Sequence, residues 1–182
     1  MKYFTKELWE GLNTEDDALF RQADEQWECN REAYFRQLQQ VKTRLSKSAA
    51  RFFGSVSLHD GRLLAFVSGD HVGYRESELS SVSRNKGRPE VRMHVLDFEQ
   101  RWLHSLSYAK VRKVLFDFPS DHPLFYEEGG RIADWGYDEL TDAGDSYLRH
   151  EVLFSSGTTI LIEFQRFSYK RTRVVGSKGT VF

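Results

Sequence analysis

From Leu148 to Phe167 apolar and polar positions alternate on either side of Ser155-Ser156-Gly157. That pattern predicts a β-hairpin with a three-residue turn, closed by a glycine in the left-handed conformation. The turn length sets the register: Phe154 faces Thr158, Val152 faces Ile160, His150 faces Ile162 and Leu148 faces Phe164. One face then gathers Leu148, Val152, Phe154, Ile160, Ile162 and Phe164. The other sets Arg149 opposite Glu163 and Glu151 opposite Leu161. A two-residue loop would scatter the apolar set over both faces.

The first third of the chain has a helical period instead. Thr5 caps a short helix over Lys6-Glu7-Leu8-Trp9-Glu10, which Gly11 and Asn13 stop. Thr14 opens a second, much longer helix with Glu15, Asp16 and Asp17 in its first turn. Phe20, Trp27, Tyr34 and Val41 recur every seven residues, joined by Leu38, Leu45 and Phe52. This amphipathic stripe predicts one helix to about Phe53, ended by Gly54. Acidic residues lead along it and basic ones follow, an order that suits the helix dipole.

Beyond Gly54 the period shortens to that of strands. Strands are expected over 58–69, 91–98, 102–108 and 111–118, with Pro119 stopping the last. Val91, Met93 and Val95 share a face. The polar stretch from Tyr74 to Pro89 reads as a long loop. Residues 121–145 read as an acidic loop with a turn at Gly129-Gly130, anchored to the sheet by Trp135-Gly136-Tyr137. The basic tail from Lys170 either frays or adds a short edge strand. Helices first and strands afterwards give an α+β fold: a long N-terminal amphipathic helix, then a mostly antiparallel sheet forming a sandwich or a partly closed barrel. A helical segment, 1–53, and a β-rich domain, 54–182, are expected to pack as one unit.

Composition narrows the functional classes. A net charge of −1 gives no general pull towards nucleic acid or an anionic membrane. Cys29 is the only cysteine, so there is no internal disulfide framework, and a reducing, cytoplasmic location is the default. The N-terminus lacks the pattern of a signal peptide, and no apolar run is long enough to span a membrane. The six histidines are dispersed without ligand spacing, so neither a metal nor a cofactor is expected. His150-Glu151 lacks the second histidine of a zinc helix, because Phe154 stands at that position. Gly176-Ser177-Lys178-Gly179-Thr180 lacks the spacing of a phosphate loop.

Three readings remain. The first is a non-enzymatic protein-interaction module, docking an unidentified partner through Trp27, Tyr34 and the acidic residues Asp134, Asp138, Glu139, Asp142 and Asp145. The second is an enzyme or small-ligand binder, with His59, Asp60 and His150 lining a pocket where two strand ends meet. The third is nucleic-acid binding through Arg36, Lys42, Arg44, Lys47 and Arg51. A homodimer through the helix stripe is compatible with each, but Asp24 and Arg31 interrupt that stripe, which favours intramolecular packing.

The opening Met1-Lys2-Tyr3-Phe4-Thr5-Lys6-Glu7-Leu8-Trp9, with the charged helix after it, resembles a bacterial family named domain of unknown function 4085. The β region, from Leu58-His59-Asp60 to His150-Glu151-Val152-Leu153-Phe154-Ser155-Ser156-Gly157, is similar to small immunity-protein-like domains. These resemblances imply a bacterial cytoplasmic protein with an immunity-like or regulatory role, and they carry over no catalytic residue.

Overall fold

Three helices and eight strands follow one another in a computed structural model that describes residues 1–69, 89–119 and 132–174. The turn at Gly129-Gly130, Gly176–Thr180 and most of the stretch expected as a loop before Pro89 lie outside the described residues. So do Asp121, Glu127 and Glu128 of the acidic region. Among the described residues no helix is long and apolar enough to cross a membrane.

Helix α1 spans Lys6–Leu12, with the Leu8 N–H donating to the Thr5 hydroxyl and Asn13 as C-cap. Gly11 lies inside it rather than ending it. Helix α2 spans Asp17–Lys42 and is capped by Asp16, whose carboxylate accepts the N–H groups of Ala18 and Leu19. The single helix expected to reach Phe53 is in fact two. After Lys42 the chain turns, and Ser46 caps a separate helix α3, Lys47–Ser55, by accepting the Ala49 N–H. The seven-residue spacing runs straight across this break, so period alone hides it. The signal was Ser46 itself, a serine able to satisfy an orphan N–H at a new helix start. Tyr34, Leu38, Val41 and Phe52 are buried within this chain, while Phe20, at the start of the stripe, is 43% exposed.

The strands are β1 (Arg62–Gly69), β2 (Glu90–Leu96), β3 (Trp102–Ala109), β4 (Lys113–Asp117), β5 (Trp135–Gly144), β6 (Tyr147–Phe154), β7 (Thr159–Phe164) and β8 (Arg166–Arg173). They form two four-stranded sheets, ordered β1-β2-β3-β8 and β4-β7-β6-β5, and every described pairing is antiparallel. The β6–β7 hairpin has the expected register, from Leu148 opposite Phe164 to Val152 opposite Ile160. Gly157 closes its turn at φ +79°. The fifth strand departs from expectation. Acidic residues are poor strand formers, so 135–144 reads as loop, yet it pairs with β6 along its length. The tail makes a strand as well: β8 begins at Arg166 and lines β3 from Ala109 to Trp102.

The two sheets are continuous along one corner. Ala109 pairs with Arg166 in the first sheet and Lys113 with Glu163 in the second. Between them the Gln165 N–H donates to the Ala109 carbonyl and the Arg112 N–H to the Glu163 carbonyl. β3–β4 and β7–β8 therefore behave as two long strands bent at the same level. At the opposite corner Trp135 exchanges backbone hydrogen bonds with Gly61 and Asp60, at 2.7 and 2.8 Å. The result is a partly closed barrel filled by Met93, Val95, Leu106, Leu140, Ile160 and Phe164. Its open side lies between the free edges of β5 and β8, and the helices fill it: α2 packs on β5 and α3 on β8. Phe52 and Phe53 both stack against Phe167. Helical and strand residues thus share one apolar core.

A buried histidine couples this barrel to pH. The Tyr169 hydroxyl and His104 Nδ1 lie 2.9 Å apart. Burial pushes the His104 imidazole below its usual 6.5, with Asp97 opposing the shift and Arg171 adding to it. The unfolded chain then takes up the proton first as pH falls, so this contribution is complete above about pH 6.5 and declines below it. The urea midpoint should drop between pH 7 and 5, and His104→Gln should flatten part of that drop. Identical profiles for the two proteins would contradict it.

Candidate functional site: an aromatic groove over Asp138

The β5 strand carries a bulge at its start, where the register shifts between Trp135 and Tyr137. Gly136 permits it: a Cβ there would sit 2.9 Å from the Leu153 carbonyl oxygen. The bulge resets the alternation that follows. Asp138 and Leu140 face the same side as His150, while Glu139 turns to the opposite face.

Asp138 ends a buried polar chain. The Tyr108 hydroxyl lies 2.7 Å from His150 Nδ1, and His150 Nε2 lies 3.1 Å from Asp138 Oδ2. His150 is 0% exposed. A carboxylate can only accept, so Nε2 carries a proton, and Nδ1 pairs with the Tyr108 hydroxyl. Burial, and then the charge of Asp138, hold the Tyr108 phenol well above its ordinary range, so it keeps its proton. Trp135 Nε1–H donates to the other oxygen of Asp138 at 3.1 Å. Among the described residues no lysine or arginine pairs with Asp138, whose side chain keeps 23% of its surface exposed.

That exposed surface opens into a groove of about 320 Å³ between α2, the end of α3 and β5. An arc of rings borders it, from His59 to Tyr137 to Phe4 to Tyr34 to Phe35, each within 5.2 to 6.2 Å of the next. Phe53 lies across the groove, its ring edge-on to His150 at 5.1 Å. Phe35 is 48% exposed and stands at the lip. Burial, followed by the Asp138 charge, pushes the Tyr34 hydroxyl upward. Burial and Asp60 do the same at Tyr137. Lys42 lies against Gly54, which lines the groove near the end of α3.

The residues singled out from the sequence are only partly brought together. His59 lines the groove and pairs with Asp60 at 3.0 Å, in a tight turn where Asp60 has φ 60°. His150 does not line it, and reaches the groove only through Asp138. Among the described residues no hydrogen bond joins it to His59 or Asp60. The acidic set scatters, because a strand sends neighbours to opposite faces. Glu139 is fully buried and accepts the backbone N–H groups of Lys2, Tyr3 and Phe4. Asp142 pairs with Arg44 at 2.7 Å and Asp145 with Arg112 at 3.3 Å. Asp134 sits at the corner bridge with Arg62. Tyr34 is buried, and its hydroxyl accepts the Leu140 N–H at 3.1 Å. Trp27 stacks on Tyr137 and Phe4. The basic residues expected along one helix are split by the break before Ser46, with Arg36 paired to Glu32 and Arg44 to Asp142.

Compared with protein-family models, curated proteins and solved structures, the chain matches none. Among the described residues no cluster of three or more His, Cys, Asp or Glu could hold a metal ion. Sequence reasoning missed Tyr108, Phe4, Phe35, Phe53 and Tyr137 as parts of this site. The available signal was Trp135-Gly136-Tyr137: a glycine between two aromatics can mark a bulge, and a bulge redirects the side chains after it.

Proposed function

We propose that the protein is a non-enzymatic binding module that docks a partner protein in the groove between α2, α3 and β5. The observation that carries this reading is the aromatic wall, ending in half-exposed Phe35, around a partly exposed carboxylate that Trp135 and His150 hold in place. An exposed ring beside an oriented polar group is a typical anchor for a partner side chain. Binding is favoured over catalysis because both nitrogens of His150 are engaged inside the barrel and the ring has no exposed surface. A bacterial cytoplasmic immunity-like or regulatory protein, as the sequence resemblances imply, would work by such docking.

Phe35→Glu tests this reading without disturbing the core. The wild-type protein serves as bait, captured proteins are identified and purified, and each is titrated calorimetrically against both forms. A partner that loses at least about tenfold in affinity with Phe35→Glu, at unchanged Tm, supports the groove, since a truncated hot spot costs more than about 1.4 kcal/mol. A partner bound equally by both forms places docking elsewhere and sinks the proposal.

A further inference from the structure

The charge inside the groove says what kind of side chain enters it. Asp138 has two oxygens, each accepting one bond, from Trp135 Nε1–H or His150 Nε2–H. A carboxylate has about four acceptor positions, so roughly two remain. Among the described residues no lysine or arginine pairs with this partly exposed carboxylate, and a cation that joins it lowers the cost of its desolvation. Asp60 pairs with His59, which lines the groove, and the rings of Tyr34, Phe35 and Tyr137 line it as well. Lys42, against Gly54, is near but makes no ion pair with Asp138 among the described residues. Rings around a carboxylate form a receptor for an organic cation, which gains both an ion pair and cation–π attraction.

Resting on the docking reading above, we infer that the groove takes a basic side chain of the partner, an arginine guanidinium or a lysine ammonium, with Asp138 as its counter-ion and Phe35 and Tyr137 against its stem. The groove's volume of about 320 Å³ accommodates one such side chain. An acidic or phosphorylated anchor would meet Asp138 and is excluded by repulsion.

N-acetyl-arginine amide, N-acetyl-lysine amide, uncharged N-acetyl-norleucine amide and free putrescine would each be titrated into the full chain, with chemical-shift changes at Phe35, Tyr137 and Asp138 as readout. The expected result is saturable binding of the two capped basic residues and at least tenfold weaker binding of norleucine. Asp138→Asn should weaken the basic probes by at least tenfold and leave norleucine unchanged. Phe35→Leu keeps apolar area but removes the ring face, and it should weaken the basic probes about threefold while sparing norleucine. This second variant lies at the surface, so it decides the matter even if Asp138→Asn fails to fold. Equal binding of norleucine, or no binding of either basic probe, would overturn the cationic assignment. A partner still lost on Phe35→Glu would then leave the docking reading standing. Putrescine binding far more tightly than the capped residues would overturn the assignment too, in favour of a free small cation.

Discussion

Glu139→Ala is expected to destabilise the protein by about 3 kcal/mol. Glu139 is 0% exposed, and its carboxylate accepts N–H groups from Lys2, Tyr3 and Phe4 at 2.5, 2.8 and 3.3 Å. Hydrogen bonds to a charged acceptor contribute about 1.5–3 kcal/mol each, and losing the acceptor strands buried donors. Three such bonds would suggest more than 3 kcal/mol, but residues 2–4 can peel away and hydrate, which caps the cost. For a chain of this length the loss corresponds to a Tm lower by roughly 6–12 °C. Glu139→Gln should fall between, because its amide carries donors towards donors. Chemical denaturation gives the energy, and hydrogen exchange gives its location, since the amides of Lys2, Tyr3 and Phe4 should lose protection first. A change below about 1 kcal/mol would mean that the carboxylate does not anchor this segment.

His150→Leu is the second large effect, again about 3 kcal/mol. Leucine fills much of the volume of the ring but makes no hydrogen bond. It leaves the fully buried Tyr108 hydroxyl without its partner at 2.7 Å and takes one donor from Asp138. Tyr108→Phe alone should cost less, about 1–2 kcal/mol, since it orphans only one ring nitrogen. The double variant is the discriminating measurement. Removing both ends of one bond leaves nothing orphaned there, so it should cost about 1–2 kcal/mol less than the two single changes added. Strict additivity would show that the pair is a packing contact and not a bond.

How much of this was legible in the sequence depends on the range of the interaction that fixes each feature. The β6–β7 register is local: strict alternation and one glycine are enough, and they also put His150 on the apolar face opposite Ile162. What His150 does there is not local. Tyr108 reaches it from 42 residues away and from the other sheet. The Asp134 to Asp145 stretch failed for a related reason. Its acidic residues read as a solvated loop because each was considered alone, whereas in β5 Glu139 has backbone donors, Asp142 has Arg44 and Asp138 has His150. Missing that strand meant missing which of its carboxylates share a face. The helix break at Ser46 is the opposite case: the information was local, but a stripe that kept its spacing across the turn overrode it.

The clamp on Glu139 also sets an order of events during synthesis. Lys2 and Glu139 are 137 residues apart, so the clamp on the segment before α1 is made only after β5 has left the ribosome. Until β5 and β8 exist, α2 and α3 have nowhere to bury Leu38, Val41 and Phe52. The helical segment is thus translated before the strands on which it settles. Its apolar stripe stays exposed on the nascent chain until those strands emerge.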